Sequence, residues 1–232
     1  MIRDIIKDFK KVFIFDKSEK KFYYGKDYTK KIKKFSQSVR WRNEANYIAN
    51  HSKSNFDLGL DVGCNAGYGT EYLSSVFESK IIGIDISNDA VNKANTIFFD
   101  SRNEYVLYDG AKIPYPDNKF DFVTCFHVIG HVGSISDFIS ELHRVVRPGG
   151  SLFIVTPNAT YKFFALLDSF INKYAPDLSI RKYWFSFELE KYLKSFGFSE
   201  VKSEFFGDLP RILKHARPKN FGRERLVIIA RK

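Results

Sequence analysis

The chain has 232 residues, enough for one full α/β domain with a real core and too few for two of that size. Two cysteines cannot build a disulfide framework, so a reducing compartment, the cytoplasm, is expected, and no apolar run reaches the roughly 18 residues needed to cross a membrane. The net charge of +10 is uneven: residues 1–55 carry 15 Lys/Arg against 6 Asp/Glu, residues 211–232 carry 8 against 1, and the stretch between carries 14 against 20. Such basic ends suit an anionic substrate, a nucleic acid or an acidic membrane surface, or are plain solvated faces of a lysine-rich sequence.

In chain order, Ile2, Ile5, Ile6, Phe9, Val12 and Phe13 recur at helical spacing opposite Arg3, Lys7, Lys10 and Lys11, which predicts a basic amphipathic helix. It is expected to cap the sheet; subunit pairing and a peripheral membrane contact are the alternatives. Residues 16–34 lack a period and read as a loop or lid, and a helical pattern returns over Ser38–His51. Residues 1–55 are therefore expected to form a helical appendage or lid ahead of a domain spanning 56–232. That domain alternates strand and helix, which predicts an α/β fold with a Rossmann-like, doubly wound, mostly parallel sheet. The expected strands are Leu58–Val62, Lys80–Ile84, Glu104–Leu107, Phe120–Phe126 and Ser151–Thr156, the last entered by a tight turn at Arg-Pro-Gly-Gly150. The helices are Gly69–Phe77, one from Ser87 or Asn88, Ile135–Val146, Tyr161–Tyr174, and Ser186–Phe198 with a serine cap and Gly197 at its end. Val201–Phe205 and Arg225–Arg231 close the sheet as an antiparallel pair, and 157–185 reads as a substrate-side insertion.

The decisive segment is Asp61-Val-Gly-Cys-Asn-Ala-Gly-Tyr-Gly-Thr70, a buried strand ending in an acid and then a glycine-rich turn, followed by a second strand that ends in Asp85. A carboxylate in that place accepts hydrogen bonds from ribose hydroxyls, so a nucleoside-bearing cofactor is implied. The turn does not fit Gly-x-Gly-x-x-Gly, since Gly67-Tyr-Gly69-Thr-Glu-Tyr72 ends in tyrosine, and it lacks the lysine of a P-loop. Asp61 at its mouth would repel a diphosphate and attract a cation. S-adenosyl-L-methionine, with an ammonium and a sulfonium and no phosphate, satisfies both conditions.

At these residues, and at Ile81-Ile-Gly-Ile-Asp85-Ile-Ser, Tyr108-Asp-Gly-Ala through Gly130-His-Val132, and Arg144-Val-Val-Arg-Pro-Gly-Gly through Thr156, the chain resembles the class I S-adenosylmethionine-dependent methyltransferases. The likeness is to the small-molecule group that includes the ubiquinone-biosynthesis type. It implies a seven-stranded sheet with an antiparallel C-terminal strand, and it implies roles. Gly63 and Gly67, with Cys64 and Asn65 between them, would face the methionine moiety, and Asp61 would lie near its ammonium. Asp85 would bind the ribose and Ile86 would cover the adenine. Asp109, Gly110 and Ala111 would take the adenine amine, and Phe126 and His127 would flank the cofactor. Two positions depart from the family pattern: Asn65 replaces a glycine, and Gly130 replaces the glutamate of an Ile-Glu-His triplet. Asparagine tolerates left-handed backbone, so the turn survives the first change.

Methyl transfer to a hydroxyl gains from a base, and His131, after the fourth strand, is the candidate catalytic residue, with capping of the next helix as its structural alternative. His127-x-x-x-His131 has metal-ligand spacing without a third ligand, so no metal is expected. Tyr161, Phe163, Phe164, Tyr183, Trp184, Phe185 and Phe187 would wall a substrate pocket or fill core, and Arg40 with Trp41 would grip an anionic acceptor group. The expected activity is methyl transfer to a small molecule, at a hydroxyl of a sugar, glycan precursor or other metabolite. The alternatives are an RNA or protein acceptor, which the lack of an Asn-Pro-Pro-Tyr type motif and of an RNA-binding module argues against, and a non-catalytic nucleoside-binding scaffold.

Overall fold

The computed structural model describes residues 39–52, 55–169, 180–207 and 223–232. The stretches 1–13 and 16–34 lie outside them. The elements in order are α1 (Val39–His51), β1 (Leu58–Val62), α2 (Tyr68–Phe77), β2 (Lys80–Asp85), α3 (Asn88–Ile97), β3 (Glu104–Leu107), β4 (Phe120–Phe126), α4 (Ile135–Val145), β5 (Val146–Pro157), α5 (Ala159–Ser169), α6 (Ser186–Ser195), β6 (Ser199–Phe206) and β7 (Arg225–Arg231). They form one seven-stranded sheet in the order β3-β2-β1-β4-β5-β7-β6, with β7 antiparallel to both of its neighbours. The strand order reverses between β1 and β4, and at such a switch point the carboxyl ends of parallel strands splay apart and leave a ligand crevice. Among the described residues no helix is long and apolar enough to cross a membrane.

Both sheet faces are covered, which explains why β1, β2, β4 and β5 read as near-continuous apolar runs. One face packs Leu60, Val62, Ile84, Val123, Cys125 and Ile154 against Ile139 and Leu142 of α4 and Leu189 and Leu193 of α6. The other packs Ile81, Phe122, Phe153, Val155 and Val227 against Leu73 of α2 and Ala45 and Ile48 of α1. α1 is thus a layer of the sheet domain itself: Ile48 is fully buried, and truncating it to alanine would cost about 2–5 kcal/mol.

Several boundaries differ from expectation by a residue or more, and three of them have a clear local reason. β5 begins at Val146, which pairs with Phe120, and the register then jumps to Phe122 with Ser151. The Arg-Pro-Gly-Gly residues bulge out and are captured by β7, Gly149 N donating to Lys232 O at 2.8 Å and Lys232 N to Gly150 O at 3.0 Å. α5 starts before Tyr161 because Asn158 caps it, its Oδ1 accepting Thr160 N at 3.0 Å. Ser186 is the first residue of α6 and not its cap, because residue 184 pairs with 158 and Ala159 N donates to Trp184 O, holding the chain extended through Phe185.

Candidate active site

The turn after β1 folds back over the tip of β2. Gly63 N and Cys64 N both donate to Ile84 O, at 2.8 and 3.1 Å. Asn65 takes φ +53°, a left-handed conformation that asparagine tolerates, and its Oδ1 accepts Ala66 N at 2.7 Å. Gly67, at φ +83°, then opens α2. The protein's own packing already forbids side chains here: a Cβ on Gly63 would overlap Val128, and one on Gly67 would lie 2.8 Å from the Tyr105 ring. Tyr105 rises from β3 as a brace, its hydroxyl donating to Glu71 Oε1 at 2.6 Å and to Gly67 O at 3.3 Å.

Two buried carboxylates organise this turn. Asp85, 3% exposed at the end of β2, accepts Asn65 N on one oxygen and Ser87 N on the other, both at 2.9 Å. It thereby ties the glycine turn to the start of α3. Burial pushes its pKa up, and the amides of Ser87, Asn65 and Ile86 oppose that shift. Asp61 accepts Thr70 Oγ1 at 2.7 Å and Thr124 Oγ1 at 2.8 Å; its pKa is likewise raised by burial, against those two hydroxyls and with Asp85 adding to it. The groups that shift these two carboxyls are hydroxyls, amides and like charge, with no cation among them. Negative potential with donors but without a counter-charge suits a cationic nucleoside, so the residues present fit S-adenosylmethionine. The Cys64 thiol is pushed well up by burial, and Cys125 up to about 12, which makes both poor nucleophiles at neutral pH.

The residues expected at the adenine end lie beside one another. Asp109 is exposed, its Oδ1 accepting Ala111 N at 2.9 Å and Lys112 N at 3.0 Å, and those bonds hold its carboxyl below the usual range. A Cβ on Gly110 would lie 3.1 Å from Ile86 Cγ2, so Ile86 and the 109–111 turn are neighbours. Phe126 is half-buried and packs on the Phe122 and Phe153 side of the sheet.

Across the switch point, His127 follows β4 at φ +60°, with its N–H donating to Val155 O at 2.7 Å. Burial lowers its imidazole pKa to about 4, and Arg225 and His131 add to the shift, which places these three groups within electrostatic reach. His131 is half-buried, its N–H donating to Val128 O at 2.8 Å. Gly130 explains the missing glutamate: its carbonyl accepts Arg181 N at 2.7 Å and Lys182 N at 3.2 Å, and a Cβ there would lie 3.0 Å from Lys182 O. The segment 180–184 occupies the space a side chain would need. It brings in Lys182, 6% exposed, ion-paired to Glu188 and lying over the Trp184 ring at 5.1 Å.

The aromatic group divides. Trp184 joins the main core, Phe163, Tyr183 and Phe185 gather with Ala159 and Ile180, and Phe187 is 70% exposed. The side chains of Arg40 and Trp41 lie outside the described residues. Sequence reasoning missed Thr70, Thr124, Tyr105 and the buried pair Glu44–Arg225. Thr124 left a signal, as the lone hydroxyl in an apolar strand, directly opposite Asp61 in register. Glu44 left none, since one acid within an irregular helix pattern looks like a solvated residue.

Residues 60–154 match the family model described as a methyltransferase domain. Over 101 residues the chain is 35% identical to a probable S-adenosylmethionine-dependent methyltransferase of Mycolicibacterium smegmatis, covering 43% of this chain and 37% of that protein. Over 114 residues it is 35% identical to the mitochondrial ubiquinone biosynthesis O-methyltransferase of Dictyostelium discoideum, covering 44% and 36%. The aligned regions span little more than a third of these curated relatives. In fold it is similar to the crystal structure of a SAM-dependent methyltransferase from Archaeoglobus fulgidus, with a TM-score of 0.67 at 22% identity, covering 89% of this chain and all of that one.

Proposed function

We propose that this chain, whose residues 60–154 match a methyltransferase domain, is an S-adenosylmethionine-dependent methyltransferase that transfers a methyl group to a hydroxyl of a small organic acceptor. One observation carries the reading: Asp85, at the tip of the second strand, joins the glycine turn to the start of α3 through both of its oxygens, and a carboxylate has more lone pairs than the amides it accepts here, which leaves it able to accept from the ribose. When bound, the donor supplies an electrophilic methyl group on a sulfonium. The chain's own residues would do the rest. Asp61, Gly63, Cys64, Asn65 and Gly67 would hold the methionine moiety, and Asp85, Ile86, Asp109, Gly110 and Ala111 the nucleoside. Phe126 would exclude water. His127, uncharged at neutral pH, would flank a cationic donor without repelling it. His131 is proposed to take the proton of the acceptor hydroxyl on an imidazole nitrogen.

α1 and the segment 180–188 would wall the acceptor side, with residues 1–55 as an N-terminal appendage whose α1 packs onto the sheet, 56–232 as the methyltransferase domain and 157–185 as its insertion. A relative named for ubiquinone biosynthesis supports an oxygen acceptor. A sugar or glycan-precursor hydroxyl has no such support and stays one member of the class. The unbridged Cys64 and Cys125 agree with a cytoplasmic setting.

Calorimetric titration with S-adenosylmethionine tests the donor half, and release of S-adenosylhomocysteine across a panel of phenols, hydroxy acids and sugars tests the acceptor half. Saturable donor binding with turnover on a small hydroxyl compound is expected. No measurable donor affinity would sink the reading, and turnover on RNA or protein alone would replace its acceptor.

A further inference from the structure

Beneath the acceptor side lies a charged pair that the donor site does not use. Glu44 of α1 is 0% exposed, and its Oε1 stands 2.6 Å from Arg225 Nη1 at the start of β7. The charges touch without hydrogen-bond alignment: among the described residues neither Glu44 oxygen nor Arg225 Nε has a hydrogen-bond partner. Buried polar atoms in native structures are seldom left so, and an unaligned buried pair costs desolvation that its attraction does not fully return. The surroundings are mixed. Phe206 is the cross-strand partner of Arg225, Tyr47 stacks edgewise on Phe206 with centroids 4.9 Å apart, and Phe126 packs in the same partly buried cluster. Arg225 also reaches His127 electrostatically, which places the pair next to the carboxyl edge of β4.

We propose that Glu44 and Arg225 form an acceptor-side subsite for an organic anion, a carboxylate or phosphate carried on an apolar body, in which Arg225 receives the anion and Glu44 takes a proton from solvent as the anion arrives. Arginine's planar fork suits either anion, and the unaligned contact with Glu44 leaves Nε unused. An arriving anion adds negative charge beside Glu44, which favours its neutral form. The carboxyl is already poised: burial, opposed by Arg225 and reinforced by Glu224, raises it to about 7. The other groups facing this corner are His127 after β4, on which Arg225 and His131 both act, Glu204 of β6, which acts on Tyr47, and Tyr72 of α2, bonded to Asn46. The inference deepens the methyltransferase reading by naming the acceptor class, and it rests on that reading only for the word acceptor.

The test is calorimetry on the full chain loaded with S-adenosylhomocysteine, using benzoate, phenyl phosphate and neutral benzamide as probes at pH 7.5, in two buffers of different protonation heat. The expected result is that one or both anions bind at least about tenfold more tightly than benzamide, with uptake of a fraction of one proton. Preference between benzoate and phenyl phosphate identifies the anion's source. Arg225→Gln should weaken the anion about tenfold or more, while Glu44→Gln should tighten it and abolish proton uptake. If Arg225→Gln does not fold, Arg225→Lys and Glu44→Gln carry the test. Equal binding of benzamide, anion binding without proton uptake, or uptake that persists in Glu44→Gln overturns the proposal. Failure of S-adenosylhomocysteine to bind, with benzoate still taken up, would strike the methyltransferase reading alone.

Discussion

The two sides of the switch point are built by different means. Around the glycine turn, Asp61 receives two hydroxyls, Asp85 two amides and Asp109 two amides, and their partners come from residues 61–124. On the side proposed for the acceptor, five groups come from four separate segments: Glu44 on α1, His127 and Gly130 after β4, Lys182 in the crossing segment 180–184 and Arg225 on β7. Their polar atoms are incompletely matched, as Glu44 and Arg225 Nε show. A site that always binds the same donor can be finished in advance, whereas a site fitted to a variable acceptor keeps hydrogen bonds unmade until that acceptor arrives. Preorganisation on one side and unmet demand on the other is what a donor–acceptor division of labour looks like in physical terms.

The sharpest way to break this contrast is Asp85→Ala. Losing two charged hydrogen bonds that order the turn, together with the proposed ribose contact, should weaken S-adenosylmethionine by roughly 100-fold or more in a calorimetric titration. Survival of full affinity would mean the donor half is not organised by Asp85. Gly130→Glu asks the opposite question. The side chain must displace Lys182 O, so acceptor turnover should collapse and stability fall by about 1–3 kcal/mol, while donor affinity in the folded fraction stays near wild type.

A third experiment uses pH. The folded-state pKa of Glu44 is raised from 4.5 to about 7, so its contribution is fully present below pH 4.5 and is lost as pH rises through 7. That of His127 is lowered from 6.5 to about 4, so its contribution is present above pH 6.5 and is lost as pH falls through 4. Between pH 4.5 and 6.5 the two slopes oppose each other. Urea midpoints should therefore vary little with pH in the native chain, rise with pH over that range in Glu44→Gln, and fall with pH in His127→Gln. Parallel curves for all three proteins would remove both assignments.

The smallest expected effect belongs to Tyr105→Phe, which keeps the ring under Gly67 but removes the hydroxyl bonds to Glu71 and Gly67. It should cost about 1–2 kcal/mol in thermal unfolding and several-fold in donor affinity, with no change in acceptor preference.

How much of this was legible in the sequence follows the same division. Asp61, Gly63, Gly67 and Asp85 declare themselves because a strand–turn–helix places chemistry within a few residues of its structural cause. The four segments of the proposed acceptor side meet only through the sheet, so no local pattern pairs Glu44 with Arg225 across 181 positions. Thr-Pro-Asn158 was readable as a break, but not the pairing of Asn158 with Trp184 that starts α5 early and denies Ser186 its capping place. Gly130 was visible as a departure from the family pattern. Its reason was not, because the cause is the main chain of a segment 50 residues downstream.

That fastening bears on how new substrates are acquired. The crossing segment is pinned to the β4 loop by the Gly130 carbonyl accepting two amides, from Arg181 and Lys182, so the attachment is made by peptide groups that every sequence possesses. Replacing the residues it carries need not loosen it. In the proposed reading the segment is an exchangeable faceplate, one whose relief can be recut by drift or by an engineer while its mounting, and the glycine turn behind it, stays as it was.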